Sequence, residues 1–169
     1  MNKFIIELPN FKYNKQDLYN FQNSITEWES NHLFSNFKGL DTSEVGFFNY
    51  HLRNINHPIL SEIISQFNFM PSDNDVKFSK ILKGGALPFH RDRYRSNVLM
   101  IPISENPSKI EWKINNQIAY THTYTCATII NGTIKHGVSV NNNDRIFLQI
   151  KIPGKWQDLL DNLELFFKF

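Results

Sequence analysis

Between Val76 and Ile152 the chain is written in short apolar or alternating runs, VKFSKIL, NVLMIPIS, SKIEWKI, QIAYTHTYTCATII, HGVSV and RIFLQIKI, cut apart by GG, ENPS, NN, NG and NNND. Such runs fit strands and are too short and too often interrupted for helices, while the intervening Gly, Asn and Pro mark turns. About six or seven strands in close succession leave no room for crossover helices. The pairing is therefore expected to be antiparallel and the core a sandwich or a small barrel.

The flanks follow a different period. FIIEL near the N-terminus reads as a short strand, but residues 15 to 31 place Leu18, Phe21, Ile25 and Trp28 at helical spacing. Pro58 is suited to the first turn of a second helix, with Ile59, Ile63 and Phe67 on one stripe, before PSDND breaks it. After Pro153-Gly154, Trp156, Leu159, Leu160, Leu163 and Phe167 restore the helical period. The expected organisation is mainly β with flanking helices: one domain over 1–169, with a helical N-terminal region over 1–75, a β-core over 76–152 and a C-terminal helix over 153–169, the helices buttressing the core. A chain of 169 residues suits one core, and no Gly-, Ser- or Pro-rich linker divides it.

Composition removes several function classes. The single cysteine, Cys126, excludes an internal disulfide and any zinc site built on C-x-x-C, and is expected to be a buried small residue. No apolar stretch approaches the length of a membrane span, so a soluble, cytoplasmic protein with no membrane partner is expected. The net charge is +2 and no block of Lys or Arg stands out, so nucleic acid is a possible partner but not a favoured one.

Residues 90 to 97, HRDRYRSN, match the protein-kinase catalytic loop H-R-D-x-x-x-x-N. The match lacks its context: there is no Gly-rich loop and no DFG after Asn97, and the chain is shorter than a two-lobed kinase requires. A metal reading suits the same residues better. Side chains two apart on an extended segment point to one face, so His90 and Asp92 can converge on an ion. His-x-Asp arises often by chance, but His136 in NGTIKHGVSV adds a second histidine, and two histidines with one carboxylate form the facial set used by non-haem iron(II) oxygenases. Three ligands on one face leave positions open, unlike the closed shell of a structural zinc.

Arg145 follows nine residues after His136, with NNND between as a plausible hairpin loop. If Val140 pairs with Arg145, then His136, Val138, Val140, Arg145, Phe147 and Gln149 share one face, with His136 and Arg145 about 13 Å apart at about 3.3 Å per residue. That span suits a five-carbon diacid held by the metal at one end and a guanidinium fork at the other.

GGALPFHRD, NVLMIPIS and NGTIKHGVSVNNNDRIFLQI together resemble the core of the iron(II)/2-oxoglutarate-dependent oxygenases, and LPFHRD before an apolar strand is similar to the aspartyl/asparaginyl and prolyl hydroxylase branches. The resemblance covers about residues 76 to 152. It implies a double-stranded β-helix, a cupin-like jelly-roll, with His90, Asp92 and His136 as ligands of Fe(2+) and Arg145 as the 2-oxoglutarate arginine. It further implies a dioxygenase that hydroxylates its substrate while releasing succinate and carbon dioxide. Two departures accompany it. Many members carry a small hydroxylic residue where Phe147 stands, and the arginine and asparagine pattern of the nucleic-acid demethylating branch is missing from RIFLQIK. A cupin-like metal- or small-molecule-binding module without oxidative turnover is the alternative.

The substrate, expected to be a small molecule or a protein side chain, is not identified by these motifs, and neither is the oligomeric state. Arg93, Tyr94 and Arg95 form a candidate substrate-binding mouth for an anionic group, against the plainer reading of a solvated loop. His122 is expected to be structural rather than to line the pocket, and His32, His51 and His57, near turns and helix ends, to be solvent-exposed.

Overall fold

The computed structural model describes residues 2–30, 46–105 and 107–168. Among these, every strand pairs antiparallel, and the strands form two sheets facing each other as a jelly-roll. The larger has seven strands: β1 (Ile5–Leu8), β2 (Glu29–Ser30), β3 (Phe47–His51), β4 (Val76–Ile81), β6 (Asn97–Pro102), β9 (Ala127–Asn131) and β11 (Arg145–Ile152), in the order β1-β9-β6-β11-β4-β3-β2. The smaller has four: β5 (Leu87–His90), β7 (Ile110–Ile114), β8 (Gln117–His122) and β10 (His136–Val138), in the order β5-β10-β7-β8.

The alternation within RIFLQIKI decides which side of the large sheet carries the site. Ile146, Leu148, Ile150 and Ile152 join one buried cluster with Phe78, Leu99 and Ile101, and helices α1 (Lys15–Ser24), α2 (Ser61–Ser65) and α3 (Trp156–Asp161) cover it through Leu18, Ile63 and Leu159. Each such side chain, fully buried, contributes about 1.5–3 kcal/mol. The alternate residues, Arg145, Phe147 and Gln149, face the small sheet instead. There Phe147 packs in a second cluster with Met100, Ile110, Trp112 and Val138. One face thus holds helices and the other encloses a cavity.

Several sequence expectations need correction. The N-terminal region is not simply helical: β1, β2 and β3 all join the large sheet. The helix expected over 15–31 is capped by Asn14, whose side chain accepts from the Asp17 N–H, and ends at Ser24 because Ile25 turns extended at ψ 117°. Trp28 then lies against Tyr50 rather than on a helix stripe. The second helix is a short 3-10 turn from Pro58 followed by five residues of α-helix. The C-terminal helix stops at Asn162, and the tail folds back so that Phe167 bridges Phe67. The described residues of 76–152 hold eight strands, because LPFH forms β5 and QIAYTHTYTCATII divides at 123–126 into β8 and β9, which belong to different sheets.

Candidate functional site

His90 closes β5 and sits directly opposite His136 at the start of β10, so strand pairing alone brings the two imidazoles together, with ring centroids 4.5 Å apart. Asp92 lies just beyond β5, where its N–H donates to the Gly132 carbonyl at 2.9 Å, while the Gly132 N–H donates to Ser96 O at 2.7 Å. These bonds fold the 91–96 segment back over the cluster. Asp92 Oδ1 stands 3.5 Å from His90 Nε2 and Oδ2 stands 3.8 Å from His136 Nε2. Gly132 permits this approach by lacking a side chain, since a Cβ there would meet Asp92 Oδ2 at 2.6 Å.

Each histidine is oriented through its other nitrogen. His90 Nδ1 lies 2.8 Å from Pro88 O and His136 Nδ1 lies 2.9 Å from Ile134 O. A carbonyl can only accept, so each Nδ1 carries the proton and each Nε2 turns its lone pair toward Asp92, the tautomer a metal requires. One donor atom from each of His90, Asp92 and His136 falls within 4.8 Å of the others, an arrangement that could hold a metal ion. Burial, with the charge of neighbouring His90, lowers the pKa of His136 to about 4, so the ring is neutral at neutral pH. Burial raises the Asp92 carboxyl, but contact with His90 and the charges of His136, His90 and Lys77 outweigh it, and the carboxyl is held below its usual range. With both rings neutral, the two Nε2 atoms and the carboxylate would be three acceptors around one point, a repulsion that a cation between them relieves.

Arg145 faces the same cavity but not by the expected route. His136 pairs with β5 and β7, and Arg145 pairs with Ile81 of β4, so the two residues belong to opposite sheets. Residues 139–144 carry the chain across, and Val140, expected opposite Arg145, is 66% exposed. Expected alignment along one hairpin is replaced by apposition across the sandwich. The Arg145 guanidinium is 3% exposed, stacks 4.3 Å over Phe147 and 5.3 Å from the Tyr124 ring centroid, and donates from Nε to Ser108 O at 3.3 Å. Its Nη2 is buried without a hydrogen-bond partner, and so is the Tyr124 hydroxyl. The two groups stand side by side in a low-dielectric wall, and their interaction with each other offsets part of the cost of burying them.

Arg93 and Tyr94 stand exposed at the cavity mouth, but Arg95 turns inward, its Nη2 donating to Asp75 O at 2.6 Å. The cavity, about 1450 Å³, also reaches Lys77 and Gln149 on the inner face of the large sheet. His122 is buried against the Tyr124 ring, outside the cavity lining. His51 and His57 are half-buried rather than exposed, and His32 lies outside the described residues. Cys126 is half-buried too, less enclosed than expected. Tyr124, Lys77 and Gly132 were not marked by the sequence; their roles come from contacts between segments far apart in the chain.

No family model matches the chain, and no curated protein matches it in sequence. Solved structures do match in fold. A prolyl-4-hydroxylase from Pseudomonas putida aligns over 86% of this chain and 90% of its own, with 10% identity and a TM-score of 0.60. An oxidoreductase of the 2OG-Fe(II) oxygenase family from Burkholderia pseudomallei aligns over 89% and 85%, with 8% identity and a TM-score of 0.51. At these identities the likeness is one of architecture: this chain has a jelly-roll fold similar to that of these two oxygenase structures.

Proposed function

We propose that this protein is an iron(II)/2-oxoglutarate-dependent dioxygenase that hydroxylates its substrate. His90, Asp92 and His136 would hold the iron, with Nε2 of each ring and the carboxylate as donors. The observation that carries the reading is Arg145: a buried guanidinium on the wall of the same cavity as the donor cluster, with the Tyr124 hydroxyl beside it and no acidic partner among the described residues. Arg145 and Tyr124 would together grip the distal carboxylate of 2-oxoglutarate, a charge-assisted pairing that relieves both buried groups. Phe147, where many members of that family carry a hydroxyl, would serve as the platform on which the guanidinium lies, with Tyr124 supplying the hydroxyl from a neighbouring segment. Bound iron and 2-oxoglutarate supply the oxidising chemistry, coupled to release of succinate and carbon dioxide. The chain's own contribution would be the orientation of the two histidines, the placement of Asp92, and a wall of Val98, Met100 and Ile110 that excludes water.

Anaerobic addition of iron(II) and 2-oxoglutarate should give the weak visible band of the metal chelate. Asp92→Ala should abolish iron binding and succinate release. Arg145→Ala should weaken 2-oxoglutarate by about 100-fold, the cost of removing one partner of a buried ionic hydrogen bond, with little effect on iron. Metal binding without the band in the wild-type chain would instead support a cupin-like module that holds a metal without turnover.

A further inference from the structure

Besides Arg145, six cationic side chains line the cavity, against a single acidic one, Asp92. The whole chain carries 18 basic and 16 acidic residues, so the imbalance is local. Arg91 and Arg93 are exposed, and Lys113 rests 3.9 Å over the Phe89 ring, ordinary positions for surface cations. Lys77 and Arg95 are placed differently.

Lys77 is in the middle of the inner face of the large sheet, with His51 and Gln149 as its cross-strand neighbours. It is half-buried and forms no ion pair among the described residues. Arg95 is half-buried as well. One end of its fork donates to the Asp75 carbonyl, while its Nε is fully buried and has no hydrogen-bond partner. The Asp75 carboxylate is engaged elsewhere, with Ser72 at 2.7 Å and Lys151 at 3.7 Å. The acid that Lys77 and Arg95 share is Asp92, which the oxygenase reading commits to iron. With that carboxylate taken, Lys77 keeps no acid beside it and Arg95 keeps only the charge of Asp75, which Lys151 shares, a costly state that a bound anion would relieve.

That anion is not the cosubstrate carboxylate assigned to Arg145. Gln149, the partner of Lys77, is four residues along β11 from Arg145, about 13 Å at about 3.3 Å per residue. Lys77, Arg145 and the donor cluster all line one cavity, with Asp92 feeling the charge of Lys77 and His136 that of Arg145.

We propose that Lys77 and Arg95 form a second oxyanion subsite, which holds a carboxylate or phosphate group of a small-molecule substrate with its reacting carbon over the metal cluster. This rests on the oxygenase reading for its role, though not for the existence of the subsite. The test is an NMR titration of the full chain loaded with Zn2+ and 2-oxoglutarate, using sulfate as the tetrahedral probe and acetate as the planar one. At least one probe should bind with 2-oxoglutarate in place, and the one that depends on Lys77 names the group as phosphate-like or carboxylate. Lys77→Met and Arg95→Gln should each weaken it about ten-fold, the loss of one charge-assisted contact, whereas Lys113→Gln should change it less than about two-fold. Thermal unfolding checks each variant, and Lys77→Met decides alone if Arg95→Gln fails to fold. Equal affinity in Lys77→Met, displacement of the probe by 2-oxoglutarate, or no binding of either probe would overturn the subsite. Binding of an oligonucleotide that depends on Arg91 and Arg93 but not on Lys77 would also overturn it. The iron chelate band is read separately: its absence alongside Lys77-dependent anion binding would reject the oxygenase reading and leave the subsite standing.

Discussion

The carboxylate of Asp92 owes its position to a residue that has no side chain. A Cβ on Gly132 would lie 2.6 Å from Asp92 Oδ2 and 2.8 Å from the Arg95 carbonyl, and the second contact, with backbone, cannot be relieved by a rotamer change. Gly132→Ala must therefore push the 91–96 segment outward and carry the carboxylate away from the two imidazoles. Metal affinity should fall by about ten-fold or more, as for residues that orient a ligand, and stability by about 1–3 kcal/mol; calorimetric metal titration and urea unfolding measure the two. Unchanged affinity would show that Asp92 does not depend on that approach. Gly132 also illustrates what sequence can say about a site. His90, Asp92 and His136, which the structure brings together, stood out because their chemistry is specific, and Arg145 reaches the same cavity by another route than the one expected. Gly132 sits in an NG that reads as an ordinary turn, Tyr124 lies within the run QIAYTHTYTCATII, and Lys77 is one polar position of VKFSKIL. Nothing local distinguishes these three, since each role depends on which distant segment lies opposite.

At the scale of elements, the chain uses asparagine-rich links for two different purposes. Asn115 and Asn116 join β7 to β8 with φ of 51° and 63°, the left-handed pair of a two-residue hairpin turn, which asparagine tolerates far better than a β-branched residue. Asn116→Val should cost about 1–2 kcal/mol in chemical unfolding, the penalty for holding such a residue at positive φ. A cost near zero would mean that the turn relaxes to another type. NNND at 141–144 looks alike in sequence yet makes no hairpin. The Asn141 N–H donates to Gly85 O at 2.8 Å and its carbonyl accepts from the Gly84 N–H at 2.8 Å, so the link is held by the segment after β4 while it crosses between sheets. The alternation of RIFLQIKI correctly placed Arg145 and Phe147 on the cavity face, because period 2 is a local property. Which strand lies opposite is not local, and the expected pairing of Val140 with Arg145 failed there. The same reason hid β3, whose FFNYH gains its strand character from pairing with β4.

Over the whole molecule the charges nearly cancel, at +2, yet the cavity concentrates cations around one acid, and this segregation has a consequence for stability. Burial, with the positive charge of Arg95, lowers the pKa of Lys77 from 10.5 to about 7, with Asp92 opposing the shift only partly. The unfolded chain, where Lys77 keeps its ordinary value, therefore binds more protons than the folded chain between about pH 7 and pH 10.5. Stability rises with pH wherever the unfolded state is the more protonated, so the penalty from Lys77 is complete below about pH 7 and shrinks as pH climbs toward 10.5. Lys77→Met keeps most of the side-chain volume and removes the charge. The variant should be more stable than the wild type, by a margin that is largest near about pH 6 and clearly smaller near about pH 9.5, as read from paired urea unfolding curves. Groups that do not interact with Lys77 cancel in that difference; Arg95 stays charged, Asp92 has already lost its proton, and His51, whose pKa Lys77 helps to lower, is replaced by Gln in both chains so that it cancels too. A margin that does not change with pH would mean that Lys77 is solvated well enough to keep its normal proton affinity. Adding the anion that occupies the proposed subsite should narrow the margin near about pH 6, because a bound oxyanion stabilises the protonated Lys77 of the wild type and finds no such partner in the variant.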